Sequence, residues 1–100
     1  MNLDEMVTKL NDKQAWVPGK RVKLDFGGQG SVLLDGVDQK VGRDGEGQAD
    51  TTIKVDWADW QQMASGQLDG MTAFMSGKLK IEGDMSNAMQ LQSVLGRLQG

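Results

Sequence analysis

One hundred residues, 38% apolar and 25% charged, provide for one globular core and leave no length for a second, so residues 1–100 read as a single domain. The formal charge of −3 argues against nucleic acid as a partner, because phosphate contacts need a surplus of Lys and Arg on one face. Cysteine and histidine are both absent, which removes disulfides, thiolate chemistry, the commonest transition-metal ligand and the commonest general base.

Residues 2–11 carry Leu3, Met6, Val7 and Leu10 at the spacing of one helical face, with Asn2 placed to cap and Glu5 three positions on. After the Pro18-Gly19 turn, KRVKLDFGG alternates strictly. Val22, Leu24 and Phe26 fall on one side and Arg21, Lys23 and Asp25 on the other, as in a strand with one wet face. SVLLDG gives a second strand after a glycine-rich reversal, and a weaker third is expected around residues 39–43. TTIKVDW alternates again, with Ile53 and Val55 inward. Two short helices follow. Asp56 is the expected cap of one holding Trp57, Trp60, Met63 and Ala64, stopped by Gly66; Asp69 begins another with Met71, Phe74 and Met75, stopped by Gly77. Leu79 and Ile81 face inward on a last strand. Gly83-Asp84 then turns into a final helix whose broad apolar face is Met85, Ala88, Leu91, Leu95 and Leu98.

Strands buried on both sides would read as continuous apolar runs. Here each keeps one polar face, so the expected fold is α+β: a mainly antiparallel sheet with all helices on one side. No apolar run exceeds three residues, so none reads as a membrane span, and MNLDEMVTKL lacks the layout of a secretory leader.

Chemistry has little to stand on. GGQGSVLLDG lacks the third glycine and the following helix of a nucleotide loop and reads as a hairpin turn. Asp44, Glu46 and Asp50 miss the spacing of a calcium loop. Asp56 and Asp59 are explained by capping, and Ser65, Ser76 and Ser86 have no histidine to activate them. No enzyme activity, cofactor or metal is expected. The clue that remains is methionine. Of the six beyond the initiator, Met63, Met71, Met75, Met85 and Met89 fall within one 27-residue stretch. Unbranched thioethers fill irregular space and re-pack around variable ligands, so these residues either complete an ordinary core or border room for an apolar guest.

The stretch GKLKIEGDMSNAMQLQ, residues 77–92, resembles the carboxy-terminal signature of the sterol carrier protein-2 family. The resemblance continues upstream through ADTTIKVDWADWQQMASGQLDGMTAFMSG, and residues 1–48 agree in layout. It implies a five-stranded sheet covered on one face by helices, with an apolar tunnel between the layers. The implied function is non-catalytic binding and transfer of a fatty acyl chain, acyl-CoA, sterol or phospholipid, with transient membrane contact and a free-standing, cytoplasmic setting. Carried over by position, the tunnel walls are Val32, Leu34, Met71, Phe74, Met75, Ile81, Met85 and Met89. Some relatives place glutamine where Met71 and Met89 stand here, which implies a more apolar tunnel. The final helix, with glycines near both ends, is the expected lid. An interaction or self-association module using the same groove, and a lipid-presenting accessory to a separate enzyme, are the alternative readings.

Overall fold

A computed structural model describes residues 2–43 and 49–99, with side chains throughout except at Ala64, Gln92 and residues 95–99. The elements run α1 (Leu3–Asp12), β1 (Arg21–Asp25), β2 (Ser31–Asp35), β3 (Lys40–Gly42), β4 (Thr51–Val55), α2 (Trp57–Ala64), α3 (Gly70–Met75), β5 (Leu79–Gly83) and α4 (Met85–Gln99). The sheet order is β3-β2-β1-β4-β5. Three neighbouring pairs are antiparallel, while β1 and β4 run parallel with Val22 opposite Thr51 and Leu24 opposite Ile53. The fold is thus α+β with a mostly antiparallel, mixed sheet. The parallel pair arises because the β2–β3 hairpin lies on one side of β1 and the chain returns on the other.

Alternation divides the sheet as expected. Val22, Leu24, Val32, Leu34, Val41, Ile53, Val55 and Leu79 are buried. Lys54 and Glu82 stand on the opposite face as an ion pair at 3.0 Å, which relieves the Lys54–Lys80 pairing across β4 and β5. α1 starts where its cap predicts, the Asn2 carboxamide oxygen accepting from the Glu5 N–H at 2.8 Å, and it buries Leu3, Met6 and Leu10. The GGQG segment is the predicted reversal: Gly27 and Gly30 take φ of 65° and 116°, and the Phe26 N–H donates to the Gly30 carbonyl at 2.9 Å. β3 is shorter than expected because Gln39, at φ 60°, is in the left-handed region and cannot extend the strand. Asp56 holds the cap position of α2, but its side chain accepts no capping bond. Asp44 and Glu46 lie outside the described residues. Asp50 acts structurally, accepting from the Arg21 N–H at 2.9 Å and so fastening the entry of β4 to β1.

One buried acid organises the far end of the β1–β2 pair. Asp35 Oδ1 accepts from the N–H groups of Val37 and Asp38, each at 2.9 Å, and Oδ2 lies 3.2 Å from Arg21 Nε. The Asp38 amide bond leads in holding this carboxyl below its ordinary pKa, against the opposing effect of burial. A carboxyl depressed in the folded state contributes stability above its unfolded pKa and loses it as pH falls through the folded value. Asp35→Asn is therefore expected to cost about 1–3 kcal/mol at neutral pH. In urea titrations the gap to wild type should begin to narrow below about pH 4, where the carboxyl of the unfolded chain takes up its proton, and close as pH falls on through the lower native value.

Candidate functional site

A predominantly apolar space lies under the β4–β5 half of the helical layer. Ile53, Leu79 and Ile81 form its floor; Trp60 and Met63 come from α2, Gly70, Met71 and Phe74 from α3, and Met85, Ala88, Met89 and Leu91 from α4. Its volume is about 90 Å³. That is smaller than the about 150 Å³ of an apolar cavity known to admit benzene, so a long chain enters only if the walls move. The expected tunnel is thus a compact cavity among the described residues. Four methionines, Met63, Met71, Met85 and Met89, are among its walls.

The walls differ in how firmly they are held. α4 is tied down at its start. Gly83 takes φ 96°, and a Cβ there would lie 2.5 Å from the Asp50 carbonyl oxygen, so only glycine makes this turn without displacing the backbone. Asp84 Oδ1 accepts from the Ser86 hydroxyl at 2.7 Å and the Ser86 N–H at 2.9 Å, the hydroxyl bond leading in holding its pKa below the ordinary value. Beneath, buried Asn87 donates through Nδ2 to Thr51 Oγ1 at 3.1 Å, and the Thr51 hydroxyl donates to the Asp84 carbonyl at 2.6 Å. α3 has less. It is six residues long, is capped by Asp69 Oδ2 accepting from the Thr72 N–H at 3.2 Å, and buries only Ala73. A helix that short is marginal without its neighbours.

Of the residues singled out in the sequence, Met71, Phe74, Ile81, Met85 and Met89 line the cavity. Met71, Phe74, Met85 and Met89 are also partly exposed, Met89 by 56%, and so form its mouth. Val32 and Leu34 do not line it. Both are fully buried in β2, three strand spacings (about 14 Å) from β5, toward the end of the sheet that α1 covers. Met75 does not line it either: it projects outward at 80% exposure. Met63, named in the methionine cluster, also lines it, as does Trp60; Ile53, Gly70, Leu79, Ala88 and Leu91 were not singled out for the site. Alternation and helical spacing place most of them inward, but only strand order tells which inward residues border the space.

An open depression lined by Asp25, Asp56, Asp59, Lys54, Lys78 and Lys80 mixes both signs of charge. Among the described residues no group of three or more Asp or Glu is placed to hold a metal, and no helix is long and apolar enough to cross a membrane.

The helix-covered mixed sheet has counterparts among known proteins. Residues 3–96 match the SCP-2 sterol transfer family, and the chain belongs to that family. Lipid binding and transfer is the function at the level of the family. Over 68 residues, 62% of this chain, it is 40% identical to hydroxysteroid dehydrogenase-like protein 2 of Xenopus tropicalis. Over 67 residues, 67% of this chain, it is 42% identical to sterol carrier protein 2 of Rattus norvegicus. The chain spans only 16% and 11% of the length of these two relatives. The solution structure of palmitated SCP2L2 from Aedes aegypti superposes over 95% of each chain with a TM-score of 0.73 at 19% identity, a likeness of fold.

The clamp on α4 is open to test. Thr51→Val leaves the Asn87 amide without its acceptor and removes the donor to Asp84, at an expected cost of about 1–3 kcal/mol in urea unfolding. Amide exchange at residues 85–90 should quicken by a larger factor than in α1.

Proposed function

We propose that this chain carries a lipid with a long apolar body, taken from the class of fatty acyl chains, acyl-CoA, sterols and phospholipids, and that it holds the apolar part between α2, α3 and α4 and the β4–β5 face without making or breaking a bond. The observation that carries this reading is the wall. Every side chain lining the cavity except the Trp60 indole is hydrocarbon or thioether, and the residues at its mouth are large, apolar and half-exposed. Exposed apolar side chains gathered in one patch mark a surface that meets an apolar partner. The match to the family and the palmitated state of the mosquito relative lend the same support.

Transfer then consists of opening, filling and closing. Each methylene taken from water contributes about 0.8 kcal/mol, so even partial entry of an acyl chain outweighs the rotamer freedom the methionines lose. With the first turn of α4 fixed by Thr51 and Asn87, α3 is the better candidate for the moving wall than the final helix expected from the sequence. Movement of α3 would carry Met71 and Phe74 away from Met85 and Met89. Met75, on the same helix and turned outward, suits reversible contact with a membrane surface while a chain is exchanged.

A carboxylate placed in the mouth must either stay unpaired in hydrocarbon or keep the mouth wet. Met89→Glu is therefore expected to weaken binding of a fluorescent fatty acid at least tenfold. Val32→Ala, in the solid half of the core, should lower the unfolding midpoint and leave that affinity within twofold. Equal affinity in wild type and Met89→Glu would remove this cavity as the binding site. In hydrogen exchange, saturating fatty acid should slow residues 70–75 more than residues 85–90; the reverse order would return the lid to α4.

A further inference from the structure

Trp60 is 2% exposed, and its indole Nε1–H is a buried donor from which no described protein atom accepts. Buried polar side-chain atoms nearly always find a partner, and a buried tryptophan usually places its N–H against one. The ring is wedged edge-on against Phe26, with centroids 5.8 Å apart and planes at 61°, and otherwise lines the cavity. Among the described lining residues the indole nitrogen is the only side-chain nitrogen or oxygen. A water held here would find this one side-chain donor, whereas ordered buried waters make about three bonds. The donor therefore belongs to a wall residue of a space whose other side chains offer it no acceptor.

Building on the reading of this cavity as the lipid site, we propose that it selects lipids whose buried end carries a neutral hydrogen-bond acceptor, such as a ketone or ester carbonyl, a hydroxyl or a protonated carboxyl, and that this oxygen accepts from Trp60 Nε1. Indole donates and cannot accept, so the acceptor must come from the guest. A plain hydrocarbon end leaves the donor unpaired. An ionised carboxylate would have to shed its water among side chains that supply no cation, so soaps enter tail first and keep the charged end at the mouth. Trp60 thus sets which end of an amphiphile goes in, and it favours oxygenated over saturated hydrocarbon guests of the same length.

The test uses dodecane and methyl decyl ketone, equal in chain length and differing in one carbonyl. With tryptophan-labelled wild-type protein, the Trp60 indole N–H resonance is expected to move downfield on saturation with the ketone and to stay in place with dodecane. The ketone should bind up to about tenfold more tightly, as one neutral hydrogen bond permits. In Trp60→Phe the affinity ratio should fall to about one. Equal affinities in wild type with an unmoved indole resonance would overturn the proposal, while leaving the lipid site itself standing. Failure of both probes to bind would overturn the lipid reading and this inference together. Should Trp60→Phe not fold, the wild-type resonance and affinity ratio decide alone.

Discussion

The structure depends on how one apolar sheet face is covered. Five strands present a continuous inward surface, and the helices that cover it are unequal. Toward the β3 end the ten-residue α1 brings Leu3, Met6 and Leu10 into a core shared with Val22, Leu24, Val32 and Leu34, whose branched or constrained side chains settle into fixed shapes. At the β4–β5 end the cover is three helices, one of them six residues long, and most of the residues facing the floor are methionines, a phenylalanine and a tryptophan. Flexible side chains fill such a gap without defining it. One half of the layer is consequently solid, and the other keeps about 90 Å³ bordered by groups that can rearrange.

The polar groups hold the two walls unequally. Thr51, Asn87 and Asp84 form a chain of hydrogen bonds, buried at Thr51 and Asn87, that binds the start of α4 to β4, and Gly83 brings the backbone there close to Asp50. Buried polar networks of this kind are costly to open once satisfied. Among the described residues α3 has no such tie to the sheet and one buried side chain, Ala73. Phe26, packed edge-on against both Trp57 and Trp60 at 5.2 and 5.8 Å, stiffens the aromatic wall opposite it. A firm floor, one pinned helix and one lightly held helix are the features on which the proposed opening at α3 rests.

Much of this was written in local pattern. Period-two alternation in KRVKLDF and TTIKVDW, the Asn2 and Asp69 caps, and the glycines after α2 and α3 each produced the element they predict, because each acts within a few residues. The methionine cluster and the cavity fall in the same half of the chain. Strand order was not legible, and it governs the site. Val32 and Leu34 have the same alternation as Ile53 and Leu79, yet insertion of β1 between β2 and β4 puts the first pair in the solid half and the second at the cavity. Met75 failed for another reason: on so short a helix the spacing of apolar residues leaves the buried face ambiguous, and Ala73 took the inward place. The tie between Thr51 and Asn87 joins residues 36 positions apart and had no sequence signal.

The most direct measurement labels the methionine methyl groups and follows them by NMR as a long-chain lipid is added. The account predicts that the resonances of Met71, Met85 and Met89 shift together and saturate at one equivalent, while that of Met6, under α1 in the packed half, stays where it was. Uniform movement that includes Met6, or no movement at any of them, would contradict it.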